Sequence, residues 1–274
     1  MPNVSKHNGL DPLSQQLREA YAKYIPPVRP ELKSDMFFML SPDMQEPPDE
    51  PVWDWRTHSV ISTPASQLPC NACTSFAISA AIEAALAIGH QQPLVVDPGY
   101  IHTCLGHDGA IGDANEDCRT GADLGVTLAA VLARGYASMQ NGNTYPFPVE
   151  NCSITAVRTI AGYTRLTGSN STKAAIVQSG PVVTDMWIWE NFFDYRGQTP
   201  TYVPDLGSGS QQLHSVCIIG FDTVGWIIKN SFGHGWGIEG FAIIAYGTCG
   251  LNAPPPPGET LPCQTYSIQL APTQ

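Results

Sequence analysis

Residues 67–77 read QLPCNACTSFA, and they lead directly into the longest stretch of the chain that predicts a helix. That stretch, TSFAISAAIEAALAIGH at residues 74–90, is rich in Ala, Ile and Leu and almost uncharged, which predicts a helix buried between other elements. Cys73 stands at the start of this helix, where backbone N–H groups and the helix dipole favour negative charge. Because the thiolate is the reactive form of cysteine, this position predicts a nucleophile.

Two later segments supply the groups that such a nucleophile requires. The segment LHSVC at 213–217 places His214 at the start of a predicted strand, and WIIKNSFGHGWG at 226–237 contains Asn230. A histidine beside a thiolate serves as its ion-pair partner and as the acid for a leaving amine. An asparagine carbonyl can orient the imidazole. The amide of Gln67 is a candidate donor to a developing oxyanion, beside the backbone N–H of the nucleophile.

The order of these segments resembles that of the papain family of cysteine peptidases. The run KNSFGHGWG is similar to the family's KNSWGxGWG, and DWR at 54–56, YRG at 195–197 and CGL at 249–251 fall where the family has similar sequences. His214 lies inside the window of roughly 130–150 residues after the cysteine that the family shows, and Asn230 lies slightly beyond it. The resemblance extends over about residues 52–251.

The resemblance implies an α+β, two-lobe papain-like fold with the active site in the cleft between the lobes. A helical lobe would span about residues 51–154, and an antiparallel β lobe about residues 155–274. The sequence itself predicts this order, since a second helix at 123–134 is followed by strands in GPVVTDMWI, HSVCIIGFD, GWIIKNSF and GFAIIAYG. Helices first and strands second favour two lobes with a groove between them.

The family's functional residues transfer onto matching positions of this sequence. The implied catalytic residues are Cys73 as nucleophile, His214 as base, Asn230 as orienting residue and Gln67 as oxyanion donor. The implied substrate-binding residues are Gly121, whose backbone would pair with a substrate strand, together with Leu213, Phe232 and Trp236 near the histidine. The implied reaction is hydrolysis of peptide bonds through a thioester acyl-enzyme, with no metal or organic cofactor.

Two departures from the family pattern keep other functions open. Thr74 follows the nucleophile where the family usually has an aromatic residue, and Phe232 replaces a tryptophan that shields the histidine from water. One alternative is an acyltransferase or transpeptidase that passes the acyl group to an amine. Another is a non-catalytic binding protein with the same fold.

Eight cysteines favour an oxidising compartment, and therefore a secreted or otherwise extracytoplasmic protein. The resemblance implies the bridges Cys70–Cys118 and Cys104–Cys152, and Cys263 is a candidate partner for Cys249. Cys217 lies in an apolar strand and is predicted to be a buried thiol. The Cys70-x-x-Cys73 spacing also fits half of a zinc site, but no second CxxC or HxxxH follows to complete the ligands.

The composition excludes some classes of function. A net charge of −11 and a pI near 4.9 argue against nucleic acid, which is bound by clustered Lys and Arg. The sequence has no apolar run near the ~20 residues of a membrane span, and its first ten residues lack the apolar core of a secretory signal. The expected partners are a peptide or protein substrate and a possible protein inhibitor in the cleft, while the oligomeric state stays open.

Residues 1–50 are predicted to form an extension ahead of a peptidase domain at 51–274. Asp11 is a candidate cap for a short helix that carries Leu13, Leu17 and Tyr21 on one face. A Pro-rich, acidic tether follows this helix. An apolar stripe must be buried somewhere, so the helix is expected to pack on the main domain or on a partner, and it is a candidate cover for the groove.

Overall fold

The computed structural model describes residues 11–27, 51–90, 93–107, 118–139, 152, 158–209 and 211–270. Its helices are α1 Pro12–Tyr21, α2 Cys73–Ile88, α3 Pro98–Tyr100, α4 Leu124–Arg134, α5 Ser169–Ser179 and α6 Glu190–Phe193. A 3₁₀ turn spans Trp55–His58, and a π-helix at Ile101–Gly106 continues α3. The strands are β1 Trp53–Asp54, β2 Ile160–Arg165, β3 Val182–Ile188, β4 Gln212–Phe221, β5 Gly225–Lys229, β6 Phe241–Ala245 and β7 Thr265–Leu270.

The described strands form one antiparallel sheet in the order β2-β7-β3-β4-β5-β6, and β1 also pairs with β4. Both faces of β4 are buried, because alternate residues of a strand point to opposite faces. Val216 and Ile218 belong to one hydrophobic core, and Cys217 and Ile219 belong to a second core on the other side. Helix α2 packs against β4, β7 and β3 in the second core. The architecture is therefore the predicted α+β fold.

The ends of two helices follow from their capping residues. The carboxylate of Asp11 accepts hydrogen bonds from the backbone N–H groups of Leu13 and Ser14, so α1 begins after the predicted cap. Asp123 caps α4 by accepting from the N–H of Val126. Helix α2 has no such side chain, since its N-cap is Ala72. The backbone N–H groups of its first turn therefore donate to no capping side chain.

The four predicted strands and three predicted helices are present, whereas the remaining elements, among them β2, β7 and α5, were not predicted. Helix α5 has the sequence SNSTKAAIVQS, and it starts with polar residues after Gly168, so its apolar face is short. Strand β2, IAGYTR, carries an internal glycine and shows no clear alternation. Both are stabilised by packing against other elements, which a local pattern does not report.

Two of the three expected disulfide bridges are formed, Cys70–Cys118 and Cys104–Cys152. The proposed bridge between Cys249 and Cys263 is wrong, since both are thiols. Cys249 is buried in the core, and the Cys263 thiol donates to the Cys249 carbonyl oxygen at 3.8 Å instead of meeting its sulfur. Cys217 is a buried thiol as predicted, and burial raises its pKa to about 12.

Candidate active site

Two neighbouring strands bring His214 and Asn230 together. His214 lies in β4, and Asn230 follows the last residue of β5, the strand that pairs with β4. Nε2 of His214 lies 2.8 Å from Oδ1 of Asn230. The same Oδ1 accepts the backbone N–H of Ser231 at 2.8 Å, which fixes the orientation of the amide. Because Oδ1 is only an acceptor, Nε2 must carry the hydrogen of the imidazole.

An aromatic cluster covers this pair. The ring of Phe232 lies 4.8 Å from that of His214 between centroids, and Trp236 packs against Phe232 at 5.8 Å. The indole N–H of Trp236 donates to the carbonyl of Phe192 at 2.7 Å, so the cluster is anchored to α6. Leu213 is also buried in this core. Phe232 thus lies where a shield for the histidine is expected.

The side chain of Gln67 is fixed by hydrogen bonds at both ends of its amide. Ser231 Oγ donates to its Oε1 at 2.6 Å, and Nε2 donates to the carbonyl of Cys70 at 2.9 Å. The backbone N–H of Gln67 also bonds to the carbonyl of Ser231. This pattern assigns the oxygen and nitrogen of the amide without ambiguity. The N–H groups of the Gln67 amide therefore face the Cys70 carbonyl and the Tyr21 hydroxyl.

Cys73 is the first residue of α2 and is buried. Burial raises the pKa of its thiol, because removing a thiolate from water is costly. Hydrogen bonds from Ser215 oppose this effect, and the charge of Asp185 adds to it. The thiol is therefore protonated at neutral pH in this state of the molecule.

Tyr21 of α1 is a residue of the site that sequence patterns did not reveal. Its hydroxyl lies 2.7 Å from Nδ1 of His214 and 3.5 Å from Nε2 of Gln67. With the hydrogen on Nε2, the only lone pair of the neutral ring is on Nδ1, so Tyr21 donates to it. Nδ1 is the ring nitrogen that does not bond to Asn230. The phenol thus lies between the histidine and the glutamine.

Burial also controls the charge of His214. The pKa of the imidazole is lowered to about 4, chiefly because the ring is removed from water, although the bond to Asn230 opposes this shift. Burial therefore favours the neutral form of both Cys73 and His214 in this arrangement.

The segment after α1 pairs with Gly121, the residue whose backbone is predicted to pair with a substrate strand. The N–H of Gly121 donates to the carbonyl of Ile25 at 2.9 Å, and the N–H of Ile25 donates to the carbonyl of Arg119 at 2.8 Å. Ile25 and Thr120 form a parallel bridge. A side chain at Gly121 would meet the ring of Tyr24, with a contact of 2.7 Å at Cβ. The backbone of Gly121 is therefore already paired with the protein's own chain.

Helix α1 is held to the domain by an apolar stripe and by polar contacts at its rim. Leu17 and Tyr21 are buried, with only 0% and 2% of their surface exposed. Arg18 pairs with Asp194 at 2.6 Å, and Arg196 forms an ion pair with Asp11. The expectation that this helix packs on the main domain is confirmed.

Comparison with known proteins identifies the family of this chain. A family model described as papain family cysteine protease matches residues 50–255. The chain belongs to that family. Among curated papain-family relatives, cathepsin O of Mus musculus is 27% identical over 73% of this chain, and cathepsin O of Homo sapiens is 27% identical over 73%. This chain covers 64% and 63% of those two proteins, a little less than two thirds of their length.

A solved structure supports the papain-like fold. Procathepsin L 3 from the larval midgut of Tenebrio molitor superposes with a TM-score of 0.66 at 21% identity, covering 94% of this chain and 79% of that one. Among curated relatives, cysteine proteinase 2 of Entamoeba histolytica is 26% identical over 74% of the chain and 66% of its own length. At these identities the structural match concerns the fold alone.

Two further findings bear on the papain-family site. Cys70 is in a disulfide bridge, so it does not form a zinc pair with Cys73. Within the described residues, no group of three or more His, Cys, Asp or Glu side chains is placed to hold a metal ion. The helices described here also include none with the length and apolar character of a membrane span.

The Tyr21 contact was foreseeable only in part. The apolar spacing of Leu13, Leu17 and Tyr21 predicts that the tyrosine faces a buried surface. Nothing in that spacing indicates which surface receives it, because the partner residues lie 46 and 193 positions further along the chain. A hydroxyl at the end of an apolar stripe is the one local signal, since a buried phenol usually finds a polar partner.

Proposed function

We propose that this papain-family chain is a cysteine peptidase that hydrolyses peptide bonds with Cys73 as its nucleophile. The observation that carries the proposal is the imidazole of His214, held by Asn230 and facing the same point as the amide of Gln67. A carbonyl group bound at that point would meet a base and an oxyanion donor together, next to the start of α2.

The reaction follows from these positions once Tyr21 has left. The Cys73 thiolate attacks the carbonyl carbon, a C–S bond forms, and Gln67 and the backbone N–H of Cys73 donate to the oxyanion. The C–N bond then breaks as the imidazolium of His214 gives its proton to the leaving amine. Water loses a proton to His214, attacks the thioester and releases the acid and the thiol.

The test is cleavage of a diverse peptide library, read by mass spectrometry. We expect products with the wild-type chain and none with Cys73→Ala. Cys217→Ala is a matched control, because it also removes a buried thiol, but one that lies in β4 with a pKa near 12. Cleavage that survives in Cys73→Ala would overturn the proposal.

The alternatives give different results in the same assay. With an amine acceptor present, an acyltransferase or transpeptidase yields ligated product in excess over hydrolysis. Thr74 is the observation that keeps this alternative, since its hydroxyl lies within the buried region beside the nucleophile. A non-catalytic binding protein yields no product with any variant, and its Cys73 resists an epoxide probe.

We further propose that α1 and the segment to Ile25 inhibit the site. Three contacts support this: the Tyr21 bond to His214, the approach of Tyr21 to Gln67, and the pairing of Ile25 with Gly121. Each uses a group that a peptide substrate requires. Substrate can bind only when this segment has left, so the segment sets the resting activity.

Tyr21→Phe tests the inhibition without deleting any part of the chain. It removes one hydrogen bond of about 0.5–1.5 kcal/mol, so we expect peptide cleavage to rise by about two- to tenfold. Tyr24→Phe is the matched control, because it removes a hydroxyl from the same segment at a ring that covers Gly121. Equal rates for the wild type and Tyr21→Phe would contradict the inhibitory role.

The two disulfide bridges and the cathepsin relatives are compatible with an extracytoplasmic or lysosomal location. We propose that the protein acts in such an oxidising compartment on peptide or protein substrates. We therefore expect the stability of the folded protein to depend on the two bridges. Reduction under native conditions should lower the melting temperature, and an unchanged value would argue against a structural need for them.

A further inference from the structure

A buried lysine lies directly beside the residue that holds the histidine. Lys229 is the last residue of β5 and precedes Asn230, and only 7% of its surface is exposed. A lysine is almost never buried to this extent unless it is paired, because its ammonium group loses its hydration. The partner is Ser62, whose Oγ accepts a hydrogen bond from Nζ of Lys229 at 2.6 Å. The end of β5 is thus bonded to a residue 167 positions earlier in the chain.

The hydroxyl of Ser62 continues this contact to helix α2. It has a single hydrogen, which it donates to Oε2 of Glu83. Glu83 lies in α2, the helix that begins with Cys73, and its Oε1 accepts the backbone N–H of Val96 at 3.0 Å. Lys229, Ser62 and Glu83 therefore form a continuous chain of hydrogen bonds from the end of β5 to α2. We call these three residues the lysine network.

Backbone hydrogen bonds join the same two segments, residues 62–67 and 229–233. The N–H of Gln67 donates to the carbonyl of Ser231 at 2.8 Å, and the N–H of Gly233 donates to a carbonyl of the first segment at 3.0 Å. The first segment therefore carries the proposed oxyanion donor, and the second carries the residue that orients the histidine. The lysine network connects both segments to α2 through side chains.

A cavity lies beside the lysine network. Its volume is about 720 Å³, and it is lined by α2, by residues 59–66 and by the end of β5, with Ser62, Glu83 and Lys229 among the lining residues. Elements in a protein interior are usually held in place by close packing. Where a cavity separates them, they share fewer apolar contacts, so hydrogen bonds carry more of their relative position.

We propose that the three residues of the lysine network are positioning residues for the reaction, and that they hold α2 and the segment of Gln67 at fixed positions relative to Asn230. The inference rests on the proposed function, because the groups that are positioned are the proposed catalytic groups. The attacked carbonyl must meet the oxyanion donor and the histidine together. A displacement of about 1 Å between such groups can cost about 10²-fold in rate.

Peptide cleavage by Lys229→Met in the full chain is the first test. Methionine keeps an unbranched apolar stem but cannot donate to Ser62, so we expect kcat to fall by about ten- to hundredfold. We expect KM to change by less than about twofold, because the lost positioning acts on the transition state. Lys229→Arg keeps the donors and should retain most of the wild-type kcat. Cys217→Ala is the matched control, since Cys217 lies opposite Lys229 in β4 and is also buried.

Native-state hydrogen exchange measures the positioning without turnover. The reporters are the backbone N–H groups of Gln67 and Gly233, which join the two segments, and the reference is the N–H of Trp187 in β3, which donates to a carbonyl at 2.8 Å. Local opening exposes only the amides of the region that opens, whereas a general loss of stability exposes all of them. We expect Lys229→Met to speed exchange at the two reporters by about tenfold or more relative to the reference.

Thermal melts report whether each variant folds, and Ser62→Ala, which breaks the network at its centre, carries both tests if Lys229→Met does not fold. An unchanged kcat in a chain that cleaves peptide overturns the proposal. Exchange that is unchanged, or that rises equally at reporters and reference, overturns it as well, since the network would then be purely structural. A wild-type chain that cleaves no peptide defeats the peptidase assignment instead, and the exchange at Gln67 and Gly233 still decides whether the network holds the two segments.

Discussion

The two nitrogens of His214 are held by two different parts of the molecule. Nε2 bonds to Asn230, which follows a central strand and is covered by Phe232 and Trp236. Nδ1 bonds to Tyr21, which belongs to the N-terminal helix. The first side is built into the sheet. The second side is a helix laid over the site.

The attachments of these two sides differ in kind. Strands β4 and β5 share a ladder of backbone hydrogen bonds and both core clusters. Helix α1 is held by an apolar stripe and by ion pairs at its rim, and exposed pairs of this sort are worth about 0–1 kcal/mol each. The proposed catalytic groups thus lie on the sheet side of the histidine, and the proposed blocking group lies on the helix side.

The largest change in activity is expected when the bond between His214 and Asn230, on the sheet side, is removed. Asn230→Ala removes the acceptor that orients His214, so proton transfer loses its geometry. We expect kcat for peptide cleavage to fall by about 10²- to 10⁴-fold, which is the usual contribution of a positioned acid–base group. Asn170→Ala, at an exposed position of α5, is the control. A fall in kcat of less than tenfold would mean that Asn230 does not orient the histidine.

A smaller change in activity, an increase, is expected when the docking of α1 on the helix side is weakened. Leu17→Ala empties a fully buried position of α1 and weakens its docking by about 2–5 kcal/mol. Peptide cleavage should rise by about tenfold or more, while the sheet keeps its stability. Denaturant unfolding of the main domain and steady-state rates measure the two effects separately. A fall in both would show that α1 is part of the framework and not a cover.

The charge of His214 predicts a pH dependence of the cover. In the closed form the pKa of His214 is about 4, whereas a hydrated imidazole titrates near 6.5. The open form therefore binds a proton that the closed form excludes. The stability of the closed form is complete above about pH 6.5 and is lost as the pH falls toward 4.

The measurement is the ratio of wild-type to Leu17→Ala activity, because a ratio cancels the pH dependence of the chemistry itself. The ratio should rise several-fold toward one between about pH 6.5 and 4, as acid opens the wild type. A ratio that is flat or falls over this range would contradict closure by burial of a neutral histidine.

The smallest change in activity is expected from the ion pairs at the rim of α1. Arg18→Gln removes the ion pair with Asp194, whose two side chains are a quarter to two fifths exposed, and should raise activity by less than about fivefold. Arg56→Gln, which breaks a pair with Asp54 away from α1, should leave activity unchanged. Added salt should reduce the difference between wild type and Arg18→Gln, since exposed charges are screened. A rise above tenfold would show that the rim, and not the apolar stripe, secures the helix.

Much of the candidate site was accessible from the sequence because each part has a local signature. Cys73 precedes an apolar helical run, His214 opens an apolar strand, and Asn230 lies in a glycine-rich segment just after another. The cap at Asp11 and the stripe to Tyr21 are equally local. The proposed Cys249–Cys263 bridge failed because pairing depends on where two side chains point, and a count of cysteines contains no such information.

The sequence by itself determined the family, the order of the main helices and strands, and the residues that we propose as nucleophile, base and oxyanion donor. Only the tertiary structure decided that Tyr21 donates to His214, that Ile25 pairs with Gly121, and that Ser215 donates to Asp185. The physical reason is the distance along the sequence between the residues that interact. Capping and periodicity act over a few residues, whereas each of these contacts joins positions 30 to 193 residues apart, and they form only when strands and helices have already been packed.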